Sequence, residues 1–280
     1  MYRDSMQEEI DVTDIKRLTH FIENKYDYDF NNYAISSYRR RVKRVLELYK
    51  LSSVDDLIKK LTASPSFFQE FVSEITVNVT EMFRDPSYWK LLKEDVIPEL
   101  FNQQERINIW HAGCSSGEEV FTMTILLEEM GLLDRSYIVA TDIDLSIIDK
   151  AKQASIRLKN MELNQQNYER YGGKKSIWDY FTQEGNYAKF SPSLLRHTSF
   201  RKHDLVKGPV FSKFDLILCR NVMIYFNQEL QNDVLTKLHE SLFKYGVLAV
   251  GSKESLIWCD ISHKFIILNN EEKIYRKIKE

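Results

Sequence analysis

The chain has 280 residues, 43% hydrophobic and 29% charged, with 39 Lys+Arg against 41 Asp+Glu for a formal net charge of -2. That length suggests about two domains with enough apolar material for a sizeable core, and the balanced charge argues against a general nucleic-acid binder. MYRDSMQEEI at the start lacks the apolar segment of a signal peptide, no apolar stretch is long enough to span a membrane, and Cys114, Cys219 and Cys259 suggest neither a disulfide framework nor a zinc site, so a reducing, cytoplasmic protein without metal or membrane insertion is predicted.

Residues 1–75 read as a helical domain. Ile15, Leu18, Phe21 and Ile22 share one helical face, as do Val42, Val45, Leu46 and Tyr49, and then Phe67, Phe68, Phe71, Val72 and Ile75. Asp55, Asp56 and the run Thr62-Ala63-Ser64-Pro65 supply caps and breaks between them. After residue 100 the pattern changes to short apolar runs alternating with helical stretches: INIWHA (107–112), a helix from Glu118 to about Met130, YIVAT (137–141), a helix over Asp144–Ala154, HTSFRK (197–202), FDLILC (214–219), a helix from Gln228 to Leu242, and GVLAVG (246–251). Buried strands alternating with helices predict a doubly wound α/β sheet over 76–280. KFIILNNEEKIYRKI reads as an antiparallel hairpin on the sheet edge. The residues over 155–196 exceed what a crossover needs and read as an inserted subdomain.

The strip NVTEMFRD (78–85) between the two domains has three readings. Asn78-Val79-Thr80 fits a glycosylation acceptor, which a cytosolic chain would not use. Asp85 before Pro86 looks like a helix cap. The third reading is a ligand-contacting strip with an amide, a hydroxyl and a guanidinium.

Ligands of open α/β sheets bind beyond the carboxyl ends of the strands. The loop Ala112-Gly113-Cys114-Ser115-Ser116-Gly117-Glu118-Glu119 follows the first strand, and its glycines allow a tight turn and close backbone approach. Its spacing is not that of a dinucleotide fold, and two glutamates sit where a pyrophosphate would want positive charge. Carboxylates there suit an ammonium or sulfonium; the plainer alternative is an ordinary acidic helix start. In Thr141-Asp142-Ile143-Asp144, Asp144 is assigned to capping and Asp142 to ribose hydroxyls, the alternative being that both cap. An adenosine ligand without phosphates therefore fits better than NAD. Arg220-Asn221 after FDLILC is hard to explain as core, whereas Tyr225 fits core packing as well as a reaction channel.

NVTEMFRD, AGCSSGEE, ATDID, CRNVMIYF and VGSKES, in this order, resemble the CheR family of chemotaxis-receptor glutamate O-methyltransferases over nearly the whole chain. The resemblance implies a class I methyltransferase sheet with an antiparallel C-terminal hairpin, a small all-α domain before it, and a small inserted β-subdomain. It implies S-adenosylmethionine as cofactor, S-adenosylhomocysteine as product, and glutamates on the cytoplasmic helices of chemoreceptors as acceptors. Carried onto matching positions, it implicates Asn78, Thr80, Arg84, Gly113, Glu118, Asp142, Asp204, Leu205, Arg220 and Asn221 in cofactor binding, with Arg84 and Tyr225 at the reaction. Asp204 departs from the asparagine common in the family and lacks its amide donor. A substrate-placing arginine carried by some members has no match in YWKLLKEDVIPEL.

An acceptor glutamate is already ionised near neutral pH, so alignment and exclusion of water are the expected sources of rate, with no metal and no covalent intermediate. Arg40, Arg41 and Arg44, opposite the apolar stripe of their helix, offer a docking face for acidic substrate helices; the plainer alternative is a solvated helix face. No aromatic stacking pattern accompanies the run, so nucleic acid is disfavoured. GGKKSIWDYFTQEGNY could add strands to a receptor tail peptide, and a monomer is expected. Rival readings are a small-molecule methyltransferase and a non-catalytic module that keeps the cofactor.

Overall fold

The computed structural model describes residues 10–76 and 78–279; the opening residues 1–9, on which the signal-peptide expectation falls, lie outside them. The chain divides into two compact units, Met1–Val77 with Tyr225–Gln231, and Asn78–Ile224 with Asn232–Glu280.

The first unit is helical. It contains α1 (Val12–Tyr26), α2 (Ile35–Leu48), α3 (Val54–Ala63) and α4 (Pro65–Ile75). The apolar faces read from the periodicity are largely the buried ones: Ile15, Leu18 and Ile22 on α1, Val42, Val45 and Leu46 on α2, and five residues from Phe67 to Ile75 on α4, whereas Phe21 and Tyr49 are only half-buried. Capping of α3 falls to Ser53, whose hydroxyl accepts the Asp56 amide, and not to Asp55 or Asp56, which occupy the first turn. Ser64 caps α4, with Pro65 in its first turn.

The second unit begins with α5 (Pro86–Leu91), which runs through a π-helical turn at Leu92–Val96 into α6 (Ile97–Gln103). There follow β1 (Ile107–Ala112), α7 (Glu118–Glu129), β2 (Ser136–Asp142) and α8 (Leu145–Gln153). The insertion contributes β3 (Ser155–Arg157), α9 (Met161–Tyr171), β4 (Phe181–Glu184) and β5 (Tyr187–Phe190). Then come β6 (Thr198–Lys202), β7 (Phe214–Cys219), α10 (Gln228–Glu240), β8 (Leu242–Val250), β9 (Phe265–Asn269) and β10 (Ile274–Lys277).

The main sheet has the order β6-β2-β1-β7-β8-β10-β9. Its first five strands are parallel, and β10 pairs antiparallel with both β8 and β9. This is the doubly wound sheet with an antiparallel edge hairpin that the sequence predicts. The chain order reverses between β1 and β7, so their carboxyl ends form the switch-point crevice where ligands bind. β1 and β7 are buried almost throughout, as central parallel strands must be. The inserted three-stranded antiparallel sheet, β3-β5-β4, matches the expected β-subdomain, to which α9 is an addition. α10 stops before Leu242 because the chain there already enters β8, two residues short of the helix read from periodicity.

Candidate functional site

The loop after β1 turns at Gly113, whose φ of 82° lies in the left-handed region, and a β-carbon there would come within 2.5 Å of Val222 Cγ2. The amides of Gly113 and Cys114 donate to the Thr141 carbonyl at 2.8 and 2.9 Å, which closes the loop against β2. Only glycine satisfies both the turn and the close approach of the loop after β7.

Asp142 ends β2. One carboxylate oxygen accepts the Ser115 amide at 2.9 Å and the other accepts the Asp144 amide at 3.1 Å. Burial pushes its carboxyl up to about 6, against the opposing pull of these amides. Asp144 caps α8 through the Ser146 amide, as its position before Leu145-Ser146 implies, and also accepts Asn78 Nδ2 at 3.2 Å. Asn78 is thereby held at the end of β2, close to Asp142. The Asp142 carbonyl accepts the His203 amide, which brings in the loop holding Asp204 and Leu205. Asp204 uses one oxygen to accept the amides of Val206 and Lys207, closing its own turn.

Glu118 and Glu119 are neighbours with different environments. Glu118 is buried at the start of α7, accepts the Ser116 hydroxyl, and has its carboxyl raised by burial. Glu119 feels the same burial, but His111 Nδ1 at 2.8 Å and Arg220 outweigh it and hold the carboxyl below its usual value. Arg220 is buried, with one guanidinium nitrogen 2.6 Å from Asp85, another 3.6 Å from Glu119, and its plane 3.9 Å over the Tyr88 ring. Its guanidinium is therefore engaged by two carboxylates and an aromatic face. Asp85 stands at the start of α5 in a left-handed conformation and makes no side-chain cap. The capping role read for it from the sequence is corrected: its carboxylate turns to Arg220, a partner that a local pattern cannot reveal.

The strip 78–85 is pinned from three directions. Asn164 on α9 accepts the Met82 amide, Asn167 donates to the Met82 carbonyl and to Glu81, and Thr122 on α7 accepts the Phe83 amide. Met82 and Phe83 are buried, whereas Thr80 and Arg84 are half-buried. The Arg84 carbonyl accepts the Trp89 indole N–H, while its guanidinium makes no ion pair among the described residues. It is thus available to an anionic group.

Glu254, in the VGSKES segment after β8, was given no role by sequence reasoning. It is buried, its carboxyl raised by burial, and it accepts the amides of Gly251, Asn221 at 2.8 Å and Ile224 at 3.2 Å. It fixes Asn221, whose φ is 61°, and so joins the loops after β7 and β8. The signal missed was a lone acid four residues beyond the end of a strand that is wholly apolar over 247–250.

Tyr225 falls in the helical unit. Its carbonyl accepts the Ala34 amide at 2.8 Å, and the Arg41 guanidinium lies 5.0 Å over its ring. Two predicted site residues are thus brought together, and Arg41 leaves the open face on which Arg40 and Arg44 are exposed. Arg44 lies 3.3 Å from Glu74. Among the described residues there is no His, Cys, Asp and Glu cluster that could hold a metal, and no helix long and apolar enough to cross a membrane.

The residues present fit S-adenosylmethionine. Asp142 has oxygen lone pairs left for ribose hydroxyls, and Glu118 offers negative charge at a helix start. Ser115 Oγ is buried without a partner among the described residues, and Gly113 keeps the loop thin enough for close approach.

Comparison with known proteins agrees. The family model for the CheR methyltransferase SAM-binding domain matches residues 78–274, and that for the CheR methyltransferase all-alpha domain matches residues 13–76. A Pseudomonas putida protein named Cher3, a candidate methyltransferase, is 39% identical over 264 residues, covering 94% of this chain and 96% of its own. The chemotaxis protein methyltransferase of Listeria innocua is 30% identical over 241 residues, 85% of this chain and 88% of that one. Chemotaxis protein methyltransferase 1 of Pseudomonas aeruginosa is 31% identical over 236 residues, 80% and 82% of the two chains.

Proposed function

Because the chain belongs to the CheR methyltransferase family, we propose that it esterifies glutamate side chains on the cytoplasmic helices of chemoreceptors and works in the cytoplasm. The observation that carries the reading is the pair of buried carboxylates, Asp142 and Glu118, around a glycine turn at the switch point, in a chain whose relatives are named chemotaxis protein methyltransferases. Such a site suits a ligand with hydroxyls and a cationic centre and disfavours phosphates.

Bound S-adenosylmethionine supplies an electrophilic methyl group on a sulfonium. Asp142 receives the ribose hydroxyls, and Glu118, with the Asn78, Thr80 and Arg84 strip, orients the remainder. Leu205 lines the site, and Asp204 accepts a hydrogen bond with the oxygen its own turn leaves over. Asn221 presents its side chain from a backbone that Glu254 fixes. Arg220 holds the strip to the sheet through Asp85 and acts by positioning. The acceptor carboxylate arrives ionised, so no side chain needs to remove a proton; alignment and exclusion of water supply the rate. Arg40, Arg41 and Arg44 receive an acidic helix, and Tyr225 is the residue assigned to the reaction channel. A receptor tail peptide would add to the edge of the β3-β5-β4 sheet.

A labelled-methyl transfer assay with a chemoreceptor cytoplasmic fragment tests this. Base-labile label on the fragment is the expected outcome. Cofactor binding without transfer would assign the chain to a non-catalytic module, and transfer only to small acceptors would assign it to metabolite methylation.

A further inference from the structure

The loop after β8 displays Ile257 at 59% and Trp258 at 79% exposure, Trp258 being the most exposed large apolar side chain among the described residues. Burying such a pair in the fold would favour it by several kcal/mol on ordinary transfer scales; the chain instead holds it outward. The residues on either side, Leu256 and Cys259, are buried, and the Cys259 amide donates to the Leu256 carbonyl at 2.9 Å. The next residue is clamped to α10: the Asp260 amide donates to Asn232 Oδ1 at 3.1 Å, and Asn232 Nδ2 returns a bond to the Asp260 carboxylate at 3.2 Å. The turn is therefore fixed at both ends, with its two largest apolar groups at the tip.

The same loop carries the Glu254 hub that locks Asn221 and Ile224. Ile224, also exposed, lies on the neighbouring loop tied to that hub. The displayed pair is thus coupled rigidly to the rim of the candidate site. Lys253, exposed at the base of the loop, adds a cation of the sign an acidic partner requires. Tryptophan in a pre-ordered apolar patch is the usual composition of an interface hot spot, because little freedom is lost on binding.

We propose that Ile257 and Trp258 form a docking knob for the acceptor protein, seating an apolar ridge of its helical bundle beside the carboxylate to be methylated. This rests on the protein-substrate reading above. A small metabolite has no surface to occupy the knob, and its position on the site loops favours the acceptor over a lipid surface.

The test uses the full chain with both residues changed to serine, Ile257→Ser together with Trp258→Ser, in labelled-methyl transfer to a soluble chemoreceptor cytoplasmic fragment. KM for the fragment should rise by at least about tenfold, while kcat at saturation, S-adenosylhomocysteine affinity by calorimetry and the melting temperature stay near the parent values. Unchanged KM with a parent enzyme that transfers methyl overturns the docking knob alone. No transfer by the parent enzyme overturns the protein-substrate reading and the knob with it. Loss of binding to anionic phospholipid vesicles with an unchanged KM would assign the pair to a membrane surface and overturn the proposal.

Discussion

Two carboxylates at the carboxyl edge of the sheet hold different loops in similar ways. Asp142 accepts amides from the loops after β1 and β2, and Glu254 accepts amides from the loops after β7 and β8. They differ in what is left over. One Asp142 oxygen accepts the Ser115 amide and the other the Asp144 amide, whereas one Glu254 oxygen accepts two amides and the other a third. A carboxylate can accept about four hydrogen bonds, so Asp142 keeps more capacity for a ligand. The comparison suggests that an acid beyond a parallel strand serves a ligand to the extent that backbone amides leave its lone pairs unused.

Glu254→Ala should have the largest effect. It removes the acceptor of three amides, and each buried amide left unpaired costs about 1–3 kcal/mol before water enters. Urea unfolding should show a loss of about 3–5 kcal/mol. Asp142→Ala should cost less stability and lower S-adenosylhomocysteine affinity by about 10- to 100-fold, the range for a hydrogen bond to a charged group. If Asp142→Ala destabilised the fold as much as Glu254→Ala and left affinity intact by calorimetry, both acids would be structural hubs.

A smaller effect lies in pH. The Asp142 carboxyl titrates at about 6 in the folded chain, against about 3.9 when unfolded. Between those values the folded protein holds a proton that the unfolded chain has released, so this group's contribution to stability falls as pH rises through the window. Ribose hydroxyls donate to the ionised form, so cofactor affinity should rise with pH through about 6. Glu118, also raised by burial, acts in the same direction. Calorimetry across this range should show a reduced slope in Asp142→Asn. The smallest effect is expected from charge reversal at Arg40 and Arg44. An exposed pair such as Arg44 with Glu74 contributes only ~0–1 kcal/mol, so the melting temperature should hardly move while KM for the receptor fragment rises several-fold.

The central strands of the main sheet were legible because they are short apolar runs bounded by turn residues, and INIWHA and FDLILC coincide with β1 and β7. The glycine loop and Thr141-Asp142 were legible because their chemistry depends on local spacing. Long-range partnerships were hidden. Asp85 looked like a cap because Pro86 follows it, yet its partner is Arg220, far along the chain. Asn164 and Asn167, within the segment read only as an insertion, take the Met82 backbone as partner because α9 brings them there. Glu118 and Glu119 are alike in sequence, and only the buried His111 and Arg220 separate their roles. Ser53 displaced Asp55 and Asp56 as the cap of α3 because the helix starts at Val54, two residues earlier than a cap at Asp55 would start it.

The proposed reaction transfers methyl from S-adenosylmethionine to a glutamate of a receptor helix. Its most direct test is peptide mass spectrometry of a chemoreceptor cytoplasmic fragment incubated with the enzyme and cofactor. Glutamate-bearing peptides should gain a single methyl that mild base releases, and at subsaturating cofactor its yield should fall by about 10- to 100-fold when Asp142→Ala replaces the parent enzyme. Methyl groups on lysine, or stable to base, or absent despite tight cofactor binding, would contradict it.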